Sequence, residues 1–367
     1  MTRENKIIAT SLVGVIANVM LATGKGIVGF VTGSISIISD ALNNFTDILS
    51  SLVTIVGTKI ANKKPDKEHP FGHGRVEYIT SLIIAIIIMF AGANAIYESI
   101  RSLINHSEAI YDNTTLIIIS IAVFVKILLG IFFKKMGKST NSDALSSSGT
   151  DALFDALLST STLVGALVSM FAGLSLEGYL GILIGLFIIK GAIDILRSAI
   201  SNIVGERTKG ELARAIKAEV LTHEEVLGVY DLIINNYGPN NSIGSFHIEV
   251  DEKMPASRIH PLTKHIAEDI YLKFGAIVTI GIYASNSSHP EIKAIRDFVE
   301  KEVEKYKSIK ELHGFYVDIN KKVISFDLLF FFTKEDVLKI KNTIEEEIKN
   351  KYPDYSLNII IDSDFSD

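Results

Sequence analysis

The chain has 367 residues, no cysteine and a formal net charge of −6. The lack of cysteine excludes disulfides, thiolate zinc sites and cysteine nucleophiles, and the acidic balance gives no basic patch of the kind that binds nucleic acid. An apolar content of 48% and a mean hydropathy of +0.33 are high for a soluble protein. Because the apolar residues are concentrated before about residue 204, we predict a membrane domain followed by a soluble region.

Six apolar stretches are long enough to cross a bilayer. They cover about residues 7–31, 34–60, 78–104, 116–133, 144–172 and 179–203. Lys and Arg occur near the N-terminus and in the loops after the second and fourth stretches, whereas the opposite loops have neither. The distribution predicts a multi-pass protein of the plasma membrane with both termini in the cytoplasm. Met1–Lys6 is too short and too polar for a cleavable signal peptide, so we expect the first stretch to be retained.

Two of these stretches contain oxygen-bearing side chains four residues apart: Asn43 and Asp47 in the second, and Asp151 and Asp155 in the fifth. Residues four apart project from one face of a helix. An ionisable group at membrane depth costs roughly 2.5–3.5 kcal/mol or more unless it faces a cavity, a partner or an ion. Hydrogen bonding between helices is the structural alternative. Two pairs, each within a stripe of Ser and Thr, predict a site for a hard cation that crosses the membrane.

Two further aspartates extend these polar stripes toward the ends of the helices. Asp40 precedes Asn43 by one helical turn and is expected to be a path or gate residue near the outer end. Asp143 lies at the predicted N-terminus of the fifth helix, at the inner end, where the helix dipole favours a carboxylate. We expect these two residues to flank the cation path.

Beyond residue 206 the sequence changes to charged helices and short strands, in an αββαβ order that occurs twice. The first set is predicted at residues 208–222, 227–235, 244–251, 257–274 and 276–283, and the second at 290–307, 311–319, 322–332, 334–350 and 356–361. This order is typical of small ferredoxin-like α+β domains. We therefore predict an all-α six-helix transmembrane domain at residues 1–206, followed by two tandem α+β cytosolic domains at 207–286 and 287–367.

These features together resemble the cation diffusion facilitator family. The resemblance rests on the six spans, the polar quartet, the αββαβ domain and the loop Glu68–Glu77, which reads EHPFGHGRVE, and it covers about residues 1–286. It implies a transporter rather than an enzyme: a homodimer in the lipid bilayer that exports a divalent metal in exchange for protons by alternating access, with no prosthetic group. The transport site that it implies consists of Asn43, Asp47, Asp151 and Asp155.

The composition of this quartet departs from the pattern of the family's zinc transporters, which usually have Asp at the position of Asn43 and His at the position of Asp151. A quartet of oxygen ligands suits Mn²⁺, Mg²⁺ or Ca²⁺, whereas imidazole favours Zn²⁺, Cu²⁺ or Ni²⁺. The quartet resembles the manganese branch of the family, so we expect Mn²⁺ export, with the three aspartates also carrying the protons. An exporter of Zn²⁺, Fe²⁺ or Co²⁺ is the alternative, and a membrane-anchored metal sensor is the alternative from another class.

The resemblance also implies secondary metal sites. Family members often bind an ion in the loop after the second span, where His69, His73 and Glu77 recur every four residues, although this loop also has a structural role as a connection. Relatives bind ions at the dimer interface of the cytosolic domain as well. Asp231, His247 and His260 fall near those positions, but Val278–Tyr283 lacks the His and Asp that usually complete the set.

Relatives join the membrane and cytosolic domains through a cation and an acid at the positions of Arg75 and Glu206. The resemblance therefore implies a salt bridge between these two residues. The second α+β copy lies outside the resemblance, and we expect it to enlarge the dimer contact.

Overall fold

The computed structural model describes residues 2–32, 35–105, 113–172, 177–208, 210–239, 241–286, 289–331 and 335–363. Within these ranges the chain forms ten α-helices and six β-strands. It divides into two compact units, which consist of Met1–Glu206 with Tyr237–Asn240, and of Arg207–Asn236 with Asn241–Asp367. The first unit is helical and the second is α+β.

The helical unit contains six long helices. They are α1 (Arg3–Thr32), α2 (Ile35–Ala61), α3 (Val76–Asn105), α4 (Asn113–Thr140), α5 (Asp143–Ala172) and α6 (Glu177–Val204). Each predicted apolar stretch coincides with one of these helices. Over the part of the chain that the structure describes, four helices are long and apolar enough to cross a membrane, namely α1, α3, α4 and α6. The two helices with the predicted polar stripes, α2 and α5, are not among these four.

The six helices pack mainly in pairs, α1 against α2, α3 against α6 and α4 against α5, and α2 also contacts α5. Gly57 allows α2 to approach α3 closely, because a Cβ atom at this position would collide with the side chain of Thr80. Large apolar side chains such as Phe90, Phe124 and Leu183 are exposed on this unit. Such a surface is unfavourable in water and is the one expected of helices that face lipid.

The second unit contains two three-stranded sheets with the same topology. The first set of elements is α7 (Gly210–Val220), β1 (Gly228–Asn236), β2 (Ser242–Asp251), α8 (Ala256–Phe274) and β3 (Ala276–Ser285). The second set is α9 (Pro290–Val303), β4 (Ile309–Asp318), β5 (Val323–Phe330), α10 (Val337–Lys351) and β6 (Ser356–Ser363). In each sheet the first two strands are antiparallel and the third runs parallel to the second.

Each sheet has its own hydrophobic core, formed by the inward side chains of the strands and the apolar faces of two helices. Phe246 on β2 lies at the centre of the first core with Ile216 and Ile266, and Phe326 on β5 lies at the centre of the second. The alternating burial along β2 reflects the two-residue period of a strand with one buried face. The other face of each strand is left free to carry polar groups.

The first strand of each sheet contains a β-bulge at the same place. The register shifts between Tyr230 and Ile233 in β1, and between His313 and Tyr316 in β4. The bulged residues have left-handed backbones, with φ of 55° at Asp231 and 62° at Gly314. A bulge redirects the neighbouring side chains, and a left-handed backbone costs of order 1–3 kcal/mol at a residue other than glycine. Asp231 therefore holds its position at an energetic cost.

Candidate metal centre

One carboxylate from each predicted pair of oxygen ligands contacts the same lysine in the helical unit, and the sequence reasoning did not select this lysine. Lys126 of α4 donates hydrogen bonds to Asp47 Oδ2 on α2 and to Asp155 Oδ2 on α5, the latter at 2.8 Å. The lysine side chain is buried, with 4% of its surface exposed. One buried ammonium group thus joins the carboxylates of two helices.

A small cavity beside this lysine has room for roughly one water molecule. Its lining consists of Asn18, Asp47, Ser50, Ser51, Lys126, Leu129, Phe133, Ser148, Asp151, Ala152 and Asp155. The structure therefore brings together all three carboxylates of the predicted quartet. The backbone of Asn43 belongs to α2, but its side chain and that of Asp40 lie outside the described part of the molecule.

The first helix supplies an oxygen that the sequence reasoning also missed. Asn18 is 5% exposed, and among the described residues its Oδ1 has no hydrogen-bond partner. A buried acceptor without a donor costs about 1–3 kcal/mol, so this oxygen is available to a cation in the cavity. Lys126 could have been found from the sequence, because it is the only charged residue of the fourth apolar stretch and intramembrane charges are usually functional.

The polar stripes of α2 and α5 continue to face each other beyond the carboxylates. Thr54 Oγ1 and Ser148 Oγ are 3.0 Å apart and form a hydrogen bond between the two helices. Asp143, the predicted gate residue of α5, is the first residue of that helix and is exposed. The structure thus places Asp143 at the helix N-terminus, in agreement with the dipole argument, and its gate role stays a prediction.

A second cluster lies in the loop between α2 and α3. The rings of His69 and His73 are 4.5 Å apart, and each histidine has a nitrogen 3.4 Å from a carboxylate oxygen of Asp66. The backbone N–H of His69 donates to Asp66 Oδ1 and holds the pKa of Asp66 below its ordinary value. These three side chains could hold a metal ion. Asp66 is the third member of this group, and the sequence reasoning did not select it.

Glu77, predicted as the third ligand of that loop, lies elsewhere in the structure. Its carboxylate is 1% exposed and pairs with Arg3, whose Nη2 approaches Glu77 Oε1 at 2.9 Å and Oε2 at 2.7 Å. Arg3 also donates from Nε to the carbonyl of Thr140 at 2.6 Å. Glu77 lies on α3, whereas His69 and His73 precede that helix, so the three residues do not share one helix face. Glu77 therefore joins α1 to α3 and to the end of α4.

We expect Glu77→Ala to lower the free energy of unfolding by about 3 kcal/mol, because breaking a buried ion pair leaves the remaining charge uncompensated. Thermal unfolding of the protein in detergent would measure the effect, with Glu98→Ala as the control, since Glu98 is exposed on the same helix. Equal stability of the two variants, together with weaker metal binding by Glu77→Ala alone, would instead support the ligand role.

Arg75 lies over the ring of Tyr237, with its guanidinium carbon 4.4 Å from the ring centroid. Phe71 packs on the same ring, with the two centroids 4.6 Å apart. The loop that follows α2 is therefore held by a cation–π contact and an aromatic pair. The salt bridge between Arg75 and Glu206 stays a prediction.

A third cluster of ligand-type side chains lies in the α+β unit and includes one of the predicted residues. Asp231, His313, Asp327 and Asp362 each place a ligand atom within 4.8 Å of the others. The predicted His247 adjoins this group, with Nδ1 at 2.8 Å from Asp231 Oδ2. The predicted His260 is exposed on α8 and does not belong to the group.

The charges of this third cluster influence one another strongly. Burial alone would raise the pKa of Asp231, but the two imidazoles of His247 and His313 and the phenol of Tyr283 hold it well below its ordinary value. Burial would lower the pKa of His313, and the neighbouring carboxylates of Asp231 and Asp327 raise it instead. Burial and the nearby charge of Asp231 raise the pKa of Asp362. The cluster therefore concentrates negative charge around one buried imidazole.

Comparison with known proteins gives matches over most of the chain. The family model of the cation efflux transmembrane domain matches residues 11–204, and that of the cation efflux protein cytoplasmic domain matches residues 208–282. An uncharacterized transporter of Methanocaldococcus jannaschii is 31% identical over 252 residues, which cover 68% of this chain and 88% of that protein. Residues after 282 lie outside both family matches.

Two proteins of Bacillus subtilis are also similar to this chain. Manganese efflux system protein MneS is 29% identical over 219 residues, which cover 60% of this chain and 74% of that protein. Manganese efflux system protein MneP is 23% identical over 282 residues, which cover 75% of this chain and 94% of that protein.

Proposed function

Because this chain belongs to the cation efflux family, also called the cation diffusion facilitators, we propose that it exports Mn²⁺ from the cytoplasm across the plasma membrane in exchange for protons. The observation that supports this most directly is the ion-sized cavity between α2 and α5, lined by the carboxylates of Asp47, Asp151 and Asp155. Oxygen ligands suit Mn²⁺ better than they suit Zn²⁺ or Cu²⁺. The names of the two similar proteins of Bacillus subtilis point to the same ion.

The proposed transporter crosses the membrane six times, with both termini in the cytoplasm, and acts as a homodimer. The four apolar helices support this arrangement, and α2 and α5 cross with their polar faces turned toward each other. The cytoplasmic-domain match over residues 208–282 supports dimerisation through the first sheet. We propose that the second sheet is a tandem copy of the first, since the two share strand order and bulge position.

Lys126 occupies the position in which a divalent cation would contact Asp47 and Asp155. A metal ion that enters the site must therefore take over these carboxylates from the ammonium group. Three carboxylates, one ammonium and one divalent cation sum to zero charge, so a loaded site that keeps Lys126 nearby is neutral. A neutral site is less costly to enclose within the bilayer than a charged one. In this proposal Asp47, Asp151 and Asp155 bind the metal on one side of the cycle and carry protons on the other.

An exporter of Zn²⁺, Fe²⁺ or Co²⁺ built on the same site is the second candidate. Oxygen ligands exclude none of these metals, because the general affinity order of divalent ions favours the later metals over Mn²⁺ at most sites. The relative transport rates of Mn²⁺ and Zn²⁺ distinguish the two candidates.

We expect proteoliposomes with an imposed pH gradient to transport Mn²⁺ in preference to Zn²⁺. The double variant Asn43→Asp/Asp151→His should shift this preference toward Zn²⁺, because it introduces an imidazole into the site. Metal-sensitive fluorescence inside the vesicles measures both rates, with Asp194→Ala, an exposed residue of α6, as the matched control. Binding of Mn²⁺ without transport of any tested ion would contradict the exporter and favour a metal sensor.

A further inference from the structure

The two sheets of the α+β unit approach each other through the polar faces of their strands. The cluster described above takes Asp231 from β1 of the first sheet, and His313, Asp327 and Asp362 from β4, β5 and β6 of the second. Three of its four members thus come from the part of the chain that follows the cytoplasmic-domain match. We call this group of four residues the inter-sheet cluster.

Strand register shows that the two sheets use equivalent positions for this cluster. In the first sheet Tyr230 pairs with His247, and in the second sheet His313 pairs with Asp327. Two residues further along β2 and β5, Glu249 pairs with Tyr283, and Leu329 pairs with Asp362. Tyr230 and His313 are therefore equivalent, and their rings stack with centroids 5.2 Å apart. The bulges of β1 and β4 face this same region, so the cluster is a product of both sheets.

The histidine of this cluster is buried without the hydrogen bonds that would normally compensate for burial. His313 is 3% exposed, and among the described residues neither ring nitrogen has a hydrogen-bond partner. Its Nε2 nevertheless lies 2.7 Å from Asp231 Oδ1 and 3.6 Å from Asp362 Oδ2. The approach to Asp231 is close, but it does not have the direction of an N–H···O bond. A buried imidazole nitrogen that lies among carboxylates and makes no well-directed hydrogen bond is an arrangement that a metal ion would satisfy.

The hydroxyl group of Tyr283 lies between two carboxylates of the cluster and has only one proton to share between them. Its hydroxyl oxygen lies 2.7 Å from Asp231 Oδ2 and also 2.7 Å from Asp327 Oδ2. A phenol has one proton and donates one hydrogen bond, so only one of the two carboxylates receives it. The other oxygen contact, in a group with three carboxylates, needs a further proton or a cation.

We propose that the inter-sheet cluster binds one divalent first-row transition-metal ion within a single chain, with His313 Nε2 and the carboxylates of Asp231, Asp327 and Asp362 as ligands. One imidazole with three carboxylates is compatible with Mn²⁺, Fe²⁺, Co²⁺ and Zn²⁺. Two ligand atoms at about 2.1 Å from a tetrahedral ion lie roughly 3.4 Å apart. The 3.6 Å contact of His313 with Asp362 already has this spacing, and the 2.7 Å contact with Asp231 needs to open by less than 1 Å.

Such a site would give the second sheet a role that does not depend on transport or on dimerisation. The ion would fix the two sheets to each other through β1 on one side and β4, β5 and β6 on the other. It would also compensate for the strained backbone of Asp231, because a ligand position is a functional reason to keep a left-handed aspartate.

The test uses the full chain in detergent with Asp151→Asn introduced, which removes a carboxylate of the proposed transport site and leaves Lys126 with both of its ion-pair partners. Any binding that remains at the transport site is then common to all the variants compared, so the result does not depend on the proposed function. Co²⁺ is the probe, and equilibrium dialysis gives the number of bound ions and their affinity. Adding Asp362→Asn to this protein is expected to remove one bound Co²⁺ per chain or to weaken its binding at least about tenfold, because loss of even an outer-shell partner of a metal ligand typically costs 10–100-fold in affinity. His265→Gln, at an exposed histidine of α8, is the matched control and should leave binding unchanged.

Thermal unfolding supplies the second measurement. Co²⁺ should raise the unfolding temperature of the starting protein and of His265→Gln, and should raise it less in Asp362→Asn and in His313→Gln. Asp362 is partly exposed near the end of β6, so its replacement tests the site even where the buried His313→Gln variant fails to fold. The proposal would be overturned if Asp362→Asn bound the same number of Co²⁺ ions with the same affinity and showed the same shift in unfolding temperature. Protons shared among the side chains would then be what holds the cluster together.

Discussion

Asp47→Ala and Asp155→Ala are each expected to reduce metal affinity and transport by at least about 100-fold, because even groups outside the first ligand sphere cost 10–100-fold when they are removed. Each single variant should still fold, since Lys126 retains the other carboxylate as its partner. Asp151→Ala should also lose transport, although Asp151 is not an ion-pair partner of Lys126 among the described contacts. Asp194→Ala, exposed on α6, is the control.

The double variant Asp47→Ala/Asp155→Ala separates binding from folding. It leaves the buried ammonium of Lys126 without either carboxylate, and an uncompensated buried charge destabilises a protein by about 3–5 kcal/mol. We therefore expect a marked drop in unfolding temperature for the double variant and a small drop for each single variant.

Unchanged transport in Asp151→Ala would contradict the assignment of this cavity as the transport site.

Lys126→Met is expected to tighten Mn²⁺ binding at least about tenfold at neutral pH. A hydrogen bond to a charged group contributes about 1.5–3 kcal/mol, and an entering ion competes with two of them. If loss of the lysine makes metal binding more favourable by even about 1.4 kcal/mol, the affinity rises by a factor of about 10. Methionine retains an unbranched side chain of similar length, so the packing between α2, α4 and α5 should be largely preserved.

The same variant has a second signature that a structural lysine would not show. Without metal, Lys126→Met should unfold at a lower temperature than the wild type, because Asp47 and Asp155 lose their shared cation. Added Mn²⁺ should then stabilise it more than it stabilises the wild type, as expected when a ligand binds only the folded state. Lys190→Met on α6, outside the cavity, controls for loss of a membrane lysine. Weaker Mn²⁺ binding by Lys126→Met would show that the lysine aligns the ligands instead of competing for them.

Local sequence patterns were sufficient for the secondary structure of this protein. The six apolar stretches, and the strands and helices after residue 206, appear in the structure mostly within a few residues of their predicted bounds. The largest differences are α4, which ends at Thr140 instead of residue 133, and α9, which ends at Val303 instead of residue 307. Apolar length and side-chain period depend on neighbours in the sequence, so they can be recognised without tertiary information. The i, i+4 spacing within α5 likewise placed Asp151 and Asp155 on one helix face, where both line the same cavity.

Tertiary structure alone decided which charges meet. Lys126 lies 79 residues from Asp47 and 29 from Asp155, and Arg3 lies 74 residues from Glu77. Such contacts depend on the rotation of each helix about its axis and on which helices pack together, and neither follows from spacing within one segment. The same holds for the inter-sheet cluster, whose members lie on four strands. The sequence by itself therefore determined the elements and which oxygen-bearing side chains the apolar helices carry, whereas helix and sheet packing determined the partner of each buried charge.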